Sequence, residues 1–125
     1  MQGLQALESA LDERFVRIVD LVYGLKGRLI ISGMGKSGHI ARKMAATFAS
    51  TGTPSYFVHP SEASHGDLGM ITKDDAVLCL SNSGETAELR DIIAYTRRFG
   101  IPLIALVRRS GSVLVDAADI ALVLP

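Results

Sequence analysis

Ser81-Asn82-Ser83-Gly84-Glu85-Thr86 gathers three serine and threonine hydroxyls around one glycine. The segment lies between the apolar run Ala76–Leu80 and residues Leu89, Ile92, Ile93 and Phe99, which recur at helical spacing. A hydroxyl-rich turn at the carboxyl end of a buried parallel strand, opening a helix, suits an anion. Backbone N–H groups and the positive end of the helix dipole face the ligand, and the hydroxyls add neutral donors. Asn82 or Ser83 could instead serve only as a helix cap, and Asn82-x-x-Glu85 has the spacing of a reciprocal cap. Glu85 and Glu88 are the carboxylates within reach of such a turn and are candidate bases.

A second turn follows the first apolar strand: Gly33-Met34-Gly35-Lys36-Ser37-Gly38. Its Gly33-x-Gly35-x-x-Gly38 spacing matches a dinucleotide fingerprint, but the second strand ends in Phe57-Val58-His59-Pro60 where a ribose-binding acid is required. A nucleotide-hydrolase phosphate loop would need glycine at position 30, which is Ile30. The glycines Gly33, Gly35, Gly38 and Gly84 let the backbone turn sharply at the sheet edge where ligands bind. Lys36 sits in that turn, where an ammonium could pair with a phosphate or stabilise a developing oxyanion. His65 falls in the polar stretch after the second strand, on the same edge; His39 reads as a helix-start donor and His59 as a strand-end filler. No serine occupies a Gly-x-Ser-x-Gly elbow, and no spacing of histidines, cysteine and acids suits a metal.

The elements that must position these residues are legible from periodicity. Leu4, Leu7, Leu11, Phe15, Ile18, Val22 and Leu25 step by three or four, predicting one helix over residues 3–25 that is available for oligomer packing. A sheet-and-helix core fills residues 28–125, with strands at 28–32, 55–58, 76–80, 102–107 and 120–124. Helices are expected from Ile40 to about Ser50, after the serine turn to Phe99, and for one turn near Val113. Segment 61–69 is a short helix or a loop. Strands alternating with helices predict an α/β fold: a three-layer αβα sandwich with a five-stranded parallel sheet, flavodoxin-like or Rossmann-like.

The chain has 125 residues, 48% of them hydrophobic, with thirteen basic residues balancing thirteen acidic ones. That length fits one domain, and a mean hydropathy of +0.29 suits strands covered on both faces. With no net charge there is no field to favour nucleic acid or an anionic membrane. A single cysteine, Cys79, inside an apolar run precludes an internal disulfide framework. No apolar run approaches a membrane span or a secretory signal, so a cytoplasmic location is the default expectation. The chain stops directly after its last apolar strand with no closing helix, as a truncated domain would.

Gly33–His39, the run from Arg42 to Pro60, His65–Met70 and Ser81–Thr86 together resemble the sugar isomerase (SIS) domain, most closely its arabinose 5-phosphate isomerase branch. The similarity extends from about Arg28 to the end. It implies an aldose–ketose isomerase that interconverts D-arabinose 5-phosphate and D-ribulose 5-phosphate through an enediol, serving the eight-carbon sugar acid of lipopolysaccharide or capsule. It also implies a homotetramer with no cofactor, a small-molecule sugar phosphate as partner, and neither nucleic acid nor membrane. Carried over by motif, Ser37, Ser81, Ser83 and Thr86 would hold the phosphate, with Asn82 shaping the loop. Lys36, His65 and Glu88 match catalytic positions, with Glu88 or His65 as base and Lys36 as electrostatic partner. The family continues beyond position 125 with a helical region that adds a glutamate and a histidine to the site, and most members then carry CBS domains. With those parts absent, the chain is expected to bind sugar phosphate weakly and to isomerise it poorly or not at all. The competing expectation is a non-catalytic phosphosugar-binding regulatory SIS domain. Its usual DNA-binding module needs a basic helix, whereas the N-terminal region offers only Arg14 and Arg17 beside Asp12, Glu13 and Asp20.

Overall fold

Three segments, Leu29–Gly33 (β1), Ala76–Ser81 (β3) and Leu103–Val107 (β4), are buried at all but one position. Only a strand covered on both faces tolerates such composition. In the computed structural model, which describes residues 2–125, these form the centre of a five-stranded parallel sheet. Ser55–Phe57 (β2) and Ile120–Val123 (β5) are its edges, giving the order β2-β1-β3-β4-β5. The expected αβα sandwich is therefore the observed fold, with flavodoxin-like strand order.

Alternate strand residues feed two cores. Leu29, Ile31, Leu78, Leu80 and Ile104 pack on one face, beneath helices α2 (Glu13–Tyr23) and α3 (Gly35–Ser50). Ile30, Val77, Cys79, Leu103 and Val107 pack on the other, beneath α4 (Pro60–Ser64), α5 (Arg90–Phe99) and α6 (Val113–Ala117). Burial pushes the Cys79 thiol up to about 12, so it stays neutral and packs as a small hydrophobe. The helix after β1 and the helix after β3 cover opposite faces, so the carboxyl ends of these adjacent strands part and leave a crevice.

Three boundaries differ from the sequence reading, each for a local reason. The N-terminal stripe is two helices, α1 (Gln2–Ala10) and α2, not one. Asp12 is extended (φ −134°, ψ −158°) and its carboxylate accepts the Arg14 N–H at 2.9 Å, capping α2. The Arg14 side chain, hydrogen-bonded to it, holds that carboxyl below its usual range. Packing completes the break: Ile18, Leu21 and Val22 of α2 meet the sheet, whereas Leu4 of α1 is 61% exposed. Helix α3 begins at Gly35, so most of the expected glycine turn is its first turn. Finally, residues 61–69 fall into α4 and a 3-10 turn, Asp67–Met70.

Asp75, 2% exposed, ties the amino ends of β1 and β3 together. Its carboxylate accepts the Arg28 N–H at 2.6 Å and the Thr72 N–H at 2.8 Å, with the Arg28 guanidinium 3.7 Å away. No helix among the described residues is long and apolar enough to cross a membrane.

Candidate functional site

The Ser81–Thr86 turn leaves the carboxyl end of β3, the central strand, and its hydroxyls first of all shape the turn. The Ser81 hydroxyl accepts the Gly84 N–H at 2.9 Å and shares a hydrogen bond of 2.9 Å with the Thr86 hydroxyl. The Ser83 hydroxyl accepts the Glu85 N–H at 3.0 Å. These bonds curl the backbone so that the Ser83 and Thr86 N–H groups find no acceptor among the described residues. Two free backbone donors thus lie in a turn that also carries the Ser81, Ser83 and Thr86 hydroxyls, a donor set chemically suited to an anion. Gly84 is in the left-handed region (φ +73°), and a Cβ there would collide with the Ser112 side chain. Only glycine fits.

Neither Asn82 nor Ser83 caps the following helix. A 3-10 turn, Ala87–Leu89, intervenes, and the N-cap of α5 is Leu89, without a side-chain bond. The reciprocal cap expected of Asn82 and Glu85 is also absent. Glu85 instead reaches across to accept the Val113 N–H at 3.1 Å. Two further bonds join the same parts: Leu114 N–H to Gly84 O and Arg108 N–H to Asn82 O, each 3.1 Å. The turn is therefore seated on the β4–α6 connection. These contacts also satisfy the first N–H groups of α6, whose cap Ser112 takes the Val115 N–H at 3.3 Å. Helix α3 is the contrast: its N-cap, Met34, makes no side-chain bond, which leaves the N–H groups of its first turn open to the crevice. Gly38 permits that approach, since a Cβ there would meet Gly33 O at 2.7 Å.

A cleft of about 440 Å³ opens at this edge, lined by Ser37, Ser81, Asn82 and Arg108 over a floor that includes Leu80 and Val107. The structure thus brings Ser37 to the serine turn. It does not bring Lys36, His65 or Glu88 into that lining. Lys36 is exposed on the first turn of α3, over one face. His65 is exposed at the C-cap of α4, and Glu88 is exposed in the 3-10 turn against which α4 packs, over the other face. All three elements follow strands at the same sheet edge. No group of three His, Cys, Asp or Glu among the described residues could hold a metal.

His59, read as a filler, has a structural role, because its Nδ1 accepts the Ser61 N–H at 3.1 Å and caps α4. Phe57 lies beside it with ring centroids 6.4 Å apart, and the Arg42 guanidinium stands 4.1 Å from the Phe57 centroid. The His59-Pro60 pair, an acceptor before a residue suited to the first helical position, was the available signal. Arg108 also lines the cleft without having been singled out in the sequence; its place directly after a buried strand puts it at the carboxyl edge where such folds bind ligands.

The family model described as the SIS domain matches residues 24–125. The chain is 52% identical over 120 residues to arabinose 5-phosphate isomerase KdsD of Pseudomonas aeruginosa, a match spanning 96% of this chain and 37% of that protein. It is 50% identical over 119 residues to KdsD of Escherichia coli strain K12, spanning 95% of this chain and 36% of that one. The chain therefore covers little more than a third of the length of these curated relatives. Among solved structures, E. coli CFT073 c3406 in complex with arabinose 5-phosphate is similar with a TM-score of 0.89 and 45% identity, covering 98% of this chain and 67% of that one.

Proposed function

Because the chain belongs to the SIS domain family, we propose that it is the isomerase domain of an enzyme interconverting D-arabinose 5-phosphate and D-ribulose 5-phosphate. The observation that carries this reading is the Ser81–Thr86 turn, whose Ser83 and Thr86 N–H groups have no acceptor among the described residues and whose Ser81 and Asn82 share a cleft with Ser37 at the uncapped start of α3. A phosphate monoester fits such a seat, held by Ser37, Ser81, Ser83 and Thr86, with Asn82 fixing the loop to β4. Two relatives named arabinose 5-phosphate isomerase share half or more of the aligned residues, which supports the same substrate class. So does the fold of a protein solved with arabinose 5-phosphate.

With the phosphate anchored, the open-chain sugar extends toward the rim. There Glu88 or His65 takes the proton from C2, and the electron pair of that C–H bond becomes the C1–C2 double bond. Negative charge collects on O1, where the Lys36 ammonium neutralises it. The proton then returns to C1 while the O2 proton passes to O1, giving the C1 hydroxyl and C2 carbonyl of the ketose. Oxidation at C2 balances reduction at C1, so the reaction requires no external oxidant. In this reading the protein acts in the cytoplasm as a homotetramer and feeds lipopolysaccharide or capsule synthesis, while the chain alone turns over slowly.

The test is isomerisation in deuterium oxide by the protein that carries this chain, followed by NMR. Solvent deuterium entering the pentose phosphate at the carbons that exchange protons is the expected result. Tight binding without deuterium uptake would identify a regulatory phosphosugar-binding domain instead, and native mass measurement reports the tetramer.

A further inference from the structure

Of the four polar side chains lining the carboxyl-edge cleft, Ser37, Ser81 and Asn82 are neutral and Arg108 is charged. The Ser81 hydroxyl accepts Gly84 N–H and pairs with the Thr86 hydroxyl, so one proton of that pair remains for a ligand. Arg108 is the first residue beyond β4, and its own N–H donates to Asn82 O at 3.1 Å, which fixes its Cα beside the serine turn. Its side chain is exposed and makes no salt bridge or side-chain hydrogen bond among the described residues. Arg14 is engaged by Asp12, Arg28 by Met70 O and Asp75, Arg42 by the Phe57 ring and Arg98 by the Phe99 ring; Arg17, Arg90, Arg97 and Arg109 have no such partner among the described residues but do not line this cleft.

Charge balance gives this placement a purpose. A phosphate monoester carries a charge of about −1.5 to −2 near neutral pH. The seat offers neutral donors, and a helix start supplies only about half a positive charge. Lys36 in the proposed reaction answers the charge on the carbonyl oxygen, so the phosphate needs a cation of its own. We infer that Arg108 is a binding residue of the cleft, taking the phosphate oxygens in a bidentate, charge-assisted pair from the β4 side. This rests on reading the cleft as a sugar-phosphate site.

Calorimetric and NMR titrations with D-arabinose 5-phosphate, inorganic phosphate and unphosphorylated D-arabinose test it. Arg108→Gln should weaken both phosphate-bearing probes roughly tenfold or more and leave D-arabinose unaffected. It should also flatten the salt dependence of binding. Arg108→Lys should recover part of the loss, and Arg109→Gln, at the next position, should bind like the parent. Parent-like affinity of Arg108→Gln overturns the role of Arg108 and leaves the cleft assignment standing. An equal loss for D-arabinose also overturns it, since a phosphate contact cannot weaken a sugar that has none. If the parent chain binds neither phosphate probe, the cleft assignment falls and Arg108 with it.

Discussion

An ammonium in the first turn of a helix opposes the helix dipole, whose positive end favours anions. Lys36 occupies that position on α3 with no partner carboxylate within salt-bridge distance among the described residues. The arrangement costs a few tenths of a kcal/mol in an empty protein and becomes favourable once an anion sits between ammonium and helix start. Lys36→Met should therefore leave the melting temperature unchanged or slightly raised, while turnover of arabinose 5-phosphate falls about 100-fold or more. Turnover within tenfold of the parent would remove Lys36 from the chemistry. Glu85 shows the opposite case: a carboxylate with catalytic promise in the sequence is occupied as an acceptor for Val113 N–H. That assignment leaves Glu88 and His65 as the candidates for the proton transfer.

At the scale of elements, the turn proposed to seat the phosphate is not self-supporting. Bonds at Asn82 O, Gly84 O and Glu85 Oε1 lay it on the β4–α6 connection. Gly84 is the hinge of that contact, in the left-handed region and directly against Ser112. Gly84→Ala should cost about 2 kcal/mol or more, from strain at positive φ plus displacement of Ser112. It should also weaken sugar-phosphate binding, because the Ser83 and Thr86 N–H groups move with the turn. Denaturant midpoints and a phosphate titration check both effects. A variant as stable as its parent would mean that the seat rests elsewhere.

At the scale of the molecule, the two ends of the sheet are built differently. Asp75 closes the amino edge, accepting three hydrogen bonds from Arg28 and Thr72, while the crevice opens at the carboxyl edge. Asp75→Ala leaves the part-buried Arg28 and Thr72 N–H groups without their acceptor and should cost about 2 kcal/mol. Phosphate affinity of the remaining folded protein should stay at the parent value. A matching loss of affinity would show that the two edges are coupled. The helical layer beside α2 is built differently: no residue of α2 is fully buried, and an apolar groove of about 470 Å³ runs between α2 and α3.

The sequence by itself determined the layer architecture, because buried apolar runs alternating with amphipathic stretches admit only a parallel sheet clothed by helices. It also singled out the two turns proposed to carry the chemistry, since in each of them glycine and hydroxyl residues follow a buried strand. Contacts distant in sequence were decided only by the tertiary structure. The cap at Asp12 is local, but that α2 meets the sheet while Leu4 of α1 stays exposed was decided only by packing. Glu85 abandons a local cap for an N–H group 28 residues away. Arg108 enters the cleft because strand pairing sets the end of β4 beside Asn82. Local propensity acts through neighbours in the chain, whereas partner choice depends on which strand ends the sheet order makes adjacent.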